Sequence, residues 1–208
     1  MSGPYGVGQR LMERAAIVAF AALAAWNLGR LALATQAYFP AVALAATAAG
    51  WLACDLLSGL LHWTCDSLGS ATTPFVGRAL IRPFREHHAD PEAMTHHDFV
   101  ETHGASCLAA LPLLVAASGL DPQGWPAAAG HALLVFTALG ALATNQCHKW
   151  AHLPASATPR AVRWAQRCGL VLPREHHGRH HRPPFNTHYC MSNGWMNPLC
   201  DALLRRWR

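Results

Sequence analysis

Four long apolar stretches alternate with shorter polar segments along the chain. They cover about residues 15–34, 38–62, 105–120 and 125–146. A helix needs roughly 20 apolar residues to cross a bilayer core of about 30 Å, so the first, second and fourth stretches are long enough, whereas the third is short. The third either spans with help from its flanks or forms a re-entrant hairpin with the fourth, across a turn predicted at 121–124. The pattern favours an all-α, polytopic membrane protein with about four transmembrane helices.

The composition supports a membrane protein. Charged residues make up 13% of the chain and apolar residues 52%, whereas soluble domains carry about 25% charged residues. This balance argues against both a cytosolic globule and a disordered chain. The net charge of +5 comes from basic residues that flank the apolar stretches, which favours contact with a membrane surface over binding of nucleic acid.

The distribution of basic residues predicts the orientation in the membrane. Two precede the first apolar stretch, three lie between the second and third, and ten follow the fourth, whereas Arg30 alone falls near the opposite side. Cytoplasmic loops of membrane proteins are enriched in lysine and arginine. We therefore expect the N-terminus, residues 63–104 and the C-terminal segment 149–208 to be cytoplasmic.

Histidine is concentrated on that same predicted side. Thirteen of the fourteen histidines lie in loops or at the ends of the apolar stretches, and His131 is the exception. Two motifs, HxxxH at 148–152 and HxxHH at 177–181, have the three- or four-residue spacing that shares one face of a helix and lets the rings reach one metal. The blocks 85–88 and 95–98 add further histidines. The sequence therefore predicts a histidine-rich, metal-binding cap on the cytoplasmic side.

Carboxylates accompany these histidines. In the second apolar stretch Asp55, His62 and Asp66 stand at i, i+7 and i+11, so they share a helical face. A carboxylate about two turns inside an apolar segment is costly and usually functional, which makes Asp55 the strongest candidate for orienting an imidazole N–H group. The same role is predicted for four other acids, each with a helix cap or a salt bridge as the alternative: Asp66, Glu86, Asp98 and Glu175.

The number of imidazoles indicates more than one metal. Zinc takes four ligands, whereas about ten imidazoles gather in these blocks with few thiolates. Two irons held mainly by histidine at a membrane face would suit oxygen-dependent attack on an unactivated C–H bond. A nonspecific metal buffer, a metal transporter and a membrane haem protein are the alternatives. Transport predicts histidines along several spans near the midplane, and a haem protein needs only one or two axial histidines.

Six ordered blocks resemble the plasmanylethanolamine desaturase (Kua) family of membrane lipid desaturases, and they reach from about residue 51 to 200. They read DLLSGLLHWTCD, PFREHHADP, THHDFVET, NQCHKWAH, LPREHHGRHH and YCMSNGWMN, at 55–66, 83–91, 95–102, 145–152, 172–181 and 189–197. Four positions depart from the pattern of animal members: His96, His103, Phe185 and His188. The expected ligand set therefore leaves out His96, His103 and His188, together with His131.

The resemblance implies a single membrane-embedded lipid desaturase domain over residues 1–208 that uses two iron ions and O2. The implied reaction introduces the vinyl-ether double bond into the 1-O-alkyl chain of plasmanylethanolamine, which gives a plasmalogen. Because bound metal supplies the chemistry, no side chain is assigned a direct catalytic role. The implied metal ligands are His62, His87, His88, His97, His148, His152, His176, His177, His180 and His181.

The sequence leaves the lipid and the electron donor open. A fatty-acyl desaturase acting on a phospholipid acyl chain, or a di-iron lipid hydroxylase, would share the same histidine motifs. The chain has no dinucleotide fingerprint, haem-attachment motif or Fe–S cysteine spacing, so we expect a separate reduced carrier, cytochrome b5-like or ferredoxin-like. Arg82, Arg85 and Lys149 are candidates for holding the lipid phosphate, with anchoring of the membrane topology as the alternative.

Overall fold

The computed structural model describes residues 6–35, 38–74 and 76–207. Within these ranges the chain is mainly helical and contains no strand, as predicted. Eight α-helices lie in them: α1 (Val7–Thr35), α2 (Phe39–Ser67), α3 (Arg82–Ala89), α4 (Phe99–Ser118), α5 (Trp125–His152), α6 (Arg160–Arg167), α7 (Arg174–His177) and α8 (Asn197–Leu204).

Four of these helices, α1, α2, α4 and α5, are long and apolar enough to cross a membrane, so the protein is an integral membrane protein. The third apolar stretch reaches this length because α4 begins at Phe99 and has 20 residues. Asp98 and Glu101 start it with a capping box, in which each side chain accepts the backbone N–H of the other residue at 3.0 Å. The prediction of four transmembrane helices is confirmed.

Two of the long helices continue beyond their apolar stretches. The apolar pattern ended near residue 62 in α2 and near 146 in α5, but the helices extend to Ser67 and His152. These additional turns contain Asp66, His148 and His152, so side chains that can ligate a metal lie at the ends of spanning helices.

One compact unit consists of Met1–Cys54 and Asp98–Asn145. Its larger apolar core contains Phe20, Leu114 and Val135, which are almost fully buried. Gly104 lets α4 approach α1 closely, since a Cβ atom at this position would lie 2.4 Å from the Cβ of Glu13. Small residues at helix crossings are typical of packing between membrane helices.

The second compact unit consists of Asp55–His97 and Gln146–Arg208. It contains most of the histidines, and much of it is loop and short helix. Its buried apolar cluster is small and contains Tyr189, Cys190, Cys200 and Leu204. Polar contacts must therefore supply much of the order in this unit.

Asp55 provides the main polar contact between α2 and the segment 190–197. Its Oδ1 atom accepts hydrogen bonds from the backbone N–H groups of Ser192, Asn193 and Gly194 at 2.9, 3.0 and 3.1 Å, and Oδ2 accepts from Met196 at 3.0 Å. The side chain is completely buried, and hydrogen bonds to an ionised group are among the stronger ones in proteins. Both oxygens of Asp55 thus bind main chain, and the segment is held against α2.

Candidate metal centre

Five imidazoles converge within the second unit and form the five-histidine group: His87, His148, His152, His177 and His181. One nitrogen of each ring lies within 4.8 Å of the others. The Nε2 atom of His148 is 2.8 Å from that of His177 and 3.2 Å from that of His152. The Nε2 atoms of His87 and His152 are 3.0 Å apart, and those of His181 and His177 are 3.1 Å apart. The Nε2 atoms therefore face a common centre.

Three further imidazoles and a carboxylate form the Asp66 group: His62, Asp66, His88 and His180. The Oδ2 atom of Asp66 lies 3.0 Å from Nε2 of His88, 3.3 Å from Nε2 of His62 and 3.5 Å from Nε2 of His180. The two groups are neighbours, since the rings of His88 and His181 have centroids 5.2 Å apart. The unit thus presents two adjacent sets of metal-ligating atoms.

Helical spacing accounts for part of each group. α5 ends with the HxxxH motif at 148–152, whose two rings meet as predicted. At the end of α2, His62 and Asp66 have the same spacing of four residues. His87 and His88 are adjacent on α3, and because successive helical residues point about 100° apart, these two rings enter different groups.

The HxxHH motif is not helical throughout, contrary to the prediction from its spacing. α7 ends at His177, and the chain continues through turns in which the N–H groups of Arg179 and His180 bond to carbonyls three residues earlier, at 3.2 and 2.9 Å. This tighter winding separates the three histidines. His177 and His181 enter the five-histidine group, whereas His180 enters the Asp66 group. One motif therefore serves both groups.

Backbone carbonyls determine which nitrogen of two imidazoles is available to a metal. Nδ1 of His62 donates to the carbonyl of Tyr189 at 3.0 Å, and Nδ1 of His180 donates to the carbonyl of Thr187 at 2.9 Å. Because a carbonyl oxygen only accepts, Nδ1 of each ring carries the proton and Nε2 presents a lone pair to the Asp66 group. Sequence reasoning missed these partners, since a main-chain carbonyl gives no residue-type signal.

Burial keeps the imidazoles outside the spanning helices in the neutral form that binds metals. Burial and the neighbouring His152 ring lower the pKa of His87 to about 2 and the pKa of His181 to about 3. Burial and the adjacent His148 ring hold the pKa of His177 well below 6.5. Metal ligands must be deprotonated, so these lone pairs are available at neutral pH.

Unsatisfied polar atoms in the centre match the needs of a cation. Within the described ranges, Nε2 of His62 and Oδ1 of Asp66 are buried without a hydrogen-bond partner. Such atoms are costly unless a ligand satisfies them. Imidazole nitrogens with a carboxylate suit iron, copper, nickel and zinc, and five imidazoles around one point exceed the four ligands of structural zinc. The centre therefore fits metal binding, with one ion per donor group.

Two of the ten histidines expected to bind metal lie outside both groups. His97 is exposed, and its backbone carbonyl accepts a hydrogen bond from Nζ of Lys149 at 2.5 Å. Nε2 of His176 lies 2.8 Å from the amide nitrogen of Asn197, and burial lowers the pKa of this histidine. The geometry therefore gives both rings surroundings different from those of the other eight.

The histidines left out of the expected ligand set also lie outside the groups that the described residues form: His96, His103, His131 and His188. His103 and His131 are buried in the first unit, where their ring nitrogens contact the backbone carbonyls of Leu142 and Asn27 at 3.0 and 3.1 Å. These two rings belong to the packing of the spanning helices.

Three of the acids expected to orient imidazoles lie at helix ends or on the surface. Asp98 caps α4 and pairs with Arg10. Glu86 lies 3.7 Å from the guanidinium of Arg82, and Glu175 is exposed in the first turn of α7. These positions correspond to the capping and salt-bridge alternatives.

The three cations considered for phosphate binding each have a contact within the protein. The guanidinium of Arg85 donates to three carbonyls at the C-terminal end of α2, at 2.9–3.2 Å, where cations stabilise a helix. Arg82 pairs with Glu86, and Lys149 binds the carbonyl of His97. Their positions on α3 and α5 place these charges close in sequence to histidines of the two donor groups.

Each donor group borders its own cavity. A cavity of about 410 Å³ adjoins the five-histidine group, and its wall contains Asp90, Glu92, His152, Arg174 and His177. A cavity of about 380 Å³ adjoins the Asp66 group, and its wall contains Trp63, Asp66, Arg85, His88, Phe185, Tyr189 and Trp207. A small ligand could therefore approach each donor group through a cavity of its own.

Comparison with known proteins agrees with this geometry. Residues 51–208 match the family described as lipid desaturase domain. The chain is 44% identical over 196 residues to the plasmanylethanolamine desaturase of Myxococcus xanthus, which covers 93% of this chain and 68% of the relative. It is 40% identical over 199 residues to plasmanylethanolamine desaturase 1 of Mus musculus, covering 93% and 73%. The chloroplastic fatty acid desaturase 4 of Arabidopsis thaliana is 34% identical over 157 residues, covering 74% and 46%. No solved structure matches the chain.

Proposed function

The chain belongs to the lipid desaturase family, and we propose that it is a membrane desaturase that forms the vinyl-ether double bond of plasmalogens. The substrate in this proposal is a 1-O-alkyl (plasmanyl) ethanolamine phospholipid. One observation carries the proposal: eight imidazoles and one carboxylate form two donor groups in a chain that is 40–44% identical to two plasmanylethanolamine desaturases.

Two iron ions are the proposed cofactors, one in each donor group. The proposed ligands are the eight histidines of the groups and Asp66, whereas His97 and His176 stay predictions from the sequence. When held there, iron would supply the redox chemistry for an overall reaction in which two hydrogen atoms leave the alkyl chain and O2 is reduced to two waters, with two further electrons and two protons supplied from outside.

The residues of the chain hold and shield this centre. The carbonyls of Tyr189 and Thr187 fix the rings of His62 and His180, so the Nε2 lone pairs stay directed at the Asp66 group. Asp55 holds the segment that follows Tyr189 against α2. Asp55 therefore supports the imidazoles through the main chain. The burial of His62, His148, His177 and His180 limits the access of water to the ligating atoms.

Electrons reach the centre from a separate reduced carrier in this proposal, cytochrome b5-like or ferredoxin-like. The exposed arginines Arg160, Arg167 and Arg174 offer positive charge to an acidic carrier. The lipid phosphate is assigned to the cations beside the centre: Arg82, Arg85 and Lys149.

The proposed orientation places both termini and the metal centre on the cytoplasmic face. It is supported by the excess of arginine and lysine in the first turns of α1, between α2 and α4, and at and after the C-terminal end of α5. The whole chain, residues 1–208, is proposed to function as one lipid desaturase domain.

A second candidate is desaturation of a fatty-acyl chain within a phospholipid. The 34% identity to chloroplastic fatty acid desaturase 4 favours it, because the same metal chemistry would serve an alkyl-ether chain and a fatty-acyl chain of a lipid. The alkyl-ether substrate is better supported, because the two plasmanylethanolamine desaturases are more similar to this chain and cover more of it than fatty acid desaturase 4 does.

Expression in cells that make alkyl-ether phospholipid but no plasmalogen tests the proposal. Vinyl-ether phospholipid, measured by mass spectrometry after acid cleavage, is expected with the wild type. It is expected to be absent with His152→Ala or His181→Ala, since each removes a ring from the five-histidine group. His96→Ala, which removes an exposed ring outside both groups, serves as the matched control and is expected to retain product.

Two results would contradict the proposal. If both His152→Ala and His181→Ala still formed vinyl-ether product, the five-histidine group would not be required for the reaction. A new acyl double bond without vinyl ether would favour the fatty-acyl candidate, and a hydroxylated alkyl chain would indicate a hydroxylase.

A further inference from the structure

The cavity beside the Asp66 group has an aromatic wall. Trp63, Phe185, Tyr189 and Trp207 line it, together with two members of the Asp66 group, Asp66 and His88. Aromatic side chains offer large apolar surfaces to a ligand, and the polar residues beside them can fix its orientation. A hydrocarbon chain is the kind of ligand that such a wall binds.

The other cavity has a different chemical character. Its wall contains Asp90, Glu92 and Arg174 beside His152 and His177. Placing a hydrocarbon against these charges would remove water from them without providing new hydrogen bonds, which is costly. The aromatic cavity also contains the charged side chains of Asp66 and Arg85, but it alone of the two offers the broad apolar surfaces of four aromatic side chains. Of the two cavities that border the metal centre, the aromatic one therefore suits an alkyl chain better.

The location of the aromatic cavity also suits a substrate that comes from the bilayer. Trp63 and Ser67, which line it, lie in the last two turns of the spanning helix α2. Tryptophan is enriched where spanning helices meet the membrane–water interface. Arg85 lies in the same wall, so the phosphate of the headgroup would find a cation beside the entry for the alkyl chain.

Phe185 lies against the Asp66 group in a strained backbone conformation. Its φ angle is +60°, a left-handed value that is uncommon for a bulky residue. Its N–H donates to the carbonyl of Arg182 at 2.9 Å, and its carbonyl accepts from the hydroxyl of Tyr189 at 3.1 Å. The ring meets that of His88 edge to face, with centroids 5.2 Å apart. Strained residues of this kind often occur in ligand-binding sites.

We infer that the aromatic cavity holds the first carbons of the lipid chain and that Phe185 is a positioning residue that sets which C–C bond lies against the Asp66 group. This inference rests on the proposed function, since it names the place of the same lipid. Phe185 acts by contact between its ring and the chain, and it provides no ligand to the metal.

Photocrosslinking tests the cavity without turnover. The probe is a 1-O-alkyl glycerophosphoethanolamine with a diazirine near the ether end of its alkyl chain, added without O2 to the metal-loaded protein in nanodiscs. Labelled peptides are expected to contain residues 63–67, 184–189 or 207, and unlabelled alkyl-ether lipid should compete with the label. Label at 89–92 and 174–178, or label that does not respond to competition, would overturn the inference.

Substitution of Phe185 tests its role in positioning. Phe185→Ala should retain the metal content of the wild type but lose selectivity for the C1–C2 bond, and the position of the crosslink should move along the chain. Phe185→Leu, which keeps an apolar branch, should restore much of the selectivity. Trp164→Ala, at an exposed aromatic residue of α6 that does not line the cavity, is the matched control. Wild-type selectivity and an unchanged crosslink in Phe185→Ala would contradict the role.

The two experiments separate failure of this inference from failure of the proposed function. Vinyl-ether product together with crosslinks in the cavity lined by Asp90, Glu92 and Arg174 would overturn the inference and leave the function intact. Competed crosslinks in the aromatic cavity, without vinyl-ether product under any condition, would support the cavity assignment and overturn the function.

Discussion

At the scale of single residues, Asp66 sets the charge of its donor group. It is the one carboxylate among the nine donors that the described residues bring together. Asp66→Asn keeps the size of the side chain and one oxygen, but it removes the negative charge that faces three imidazoles. Because a carboxylate ligand contributes to metal affinity through that charge, we expect the metal content to fall from about two ions per chain to about one. Elemental analysis of the purified protein measures it.

The control for Asp66 is a neighbouring acid outside both groups. Glu86→Gln removes a carboxylate that pairs with Arg82 and is adjacent in sequence to His87. This variant is expected to keep the metal content of the wild type. If Asp66→Asn also kept both ions, Asp66 would not be a ligand.

Residue spacing predicted the donors that helices bring together, because such contacts are local. The HxxxH motif at 148–152 and the pair His62 and Asp66 are four residues apart on helices, and both pairs meet. The sequence assigned Asp66 to orienting an imidazole and not to the donor atoms themselves, and it did not predict that the carbonyls of Thr187 and Tyr189 orient two rings. Those contacts depend on the path of the 187–189 segment, which no local pattern determines.

At the scale of elements, Asp55 decides how the segment 190–197 lies against α2. In Asp55→Asn an amide N–H would face the N–H of Met196, which now donates to Oδ2. One partly buried hydrogen bond would be lost and two donors would be left facing each other, so we expect the free energy of unfolding to fall by about 2–4 kcal/mol. Denaturant unfolding in detergent micelles, followed by circular dichroism, measures this change.

An exposed aspartate provides the matched control for Asp55. Asp121→Asn changes a side chain in the connection between α4 and α5, where it makes one exposed hydrogen bond to the N–H of Gln123. It is expected to change the free energy of unfolding by less than about 0.5 kcal/mol. If the two variants were equally stable, the four hydrogen bonds of Asp55 would not stabilise the unit.

The sequence predicted which elements exist more reliably than where they end. Apolar length identified all four spanning helices, since crossing a bilayer demands it. It placed the start of α4 too late, although the Asp98–Glu101 capping box is a recognisable N-terminal signature. It also extended helical geometry through the HxxHH motif, where turns follow His177. Apolar periodicity reports burial in the membrane and carries little information about polar helix ends.

At the scale of the whole molecule, the division into two compact units is a property that local sequence patterns do not reveal. The divisions between Cys54 and Asp55 and between Asn145 and Gln146 fall inside α2 and α5. No linker composition accompanies them, because each helix continues without interruption. Both donor groups belong to the second unit, so the expected effects of metal binding can be assigned to one part of the chain.

Metal binding should stabilise the second unit most. This unit has a small apolar cluster around Tyr189 and Cys190, whereas the first has a larger core around Phe20 and Leu114. A ligand that binds the folded state stabilises it by mass action, and without the metal the eight imidazoles would lose the cation that their lone pairs face. We therefore expect chelation to speed backbone hydrogen exchange in residues 174–197 at least about tenfold, with little change in α4.

Hydrogen exchange read by mass spectrometry distinguishes this effect from general loosening. α4 is an internal reference because its residues belong to the first unit, and readdition of Fe²⁺ should restore slow exchange in 174–197. In Asp66→Asn the difference between metal-loaded and stripped protein should shrink, since one donor group would no longer bind. Equal acceleration in α4 and in 174–197 would mean that the metal does not act mainly on the second unit.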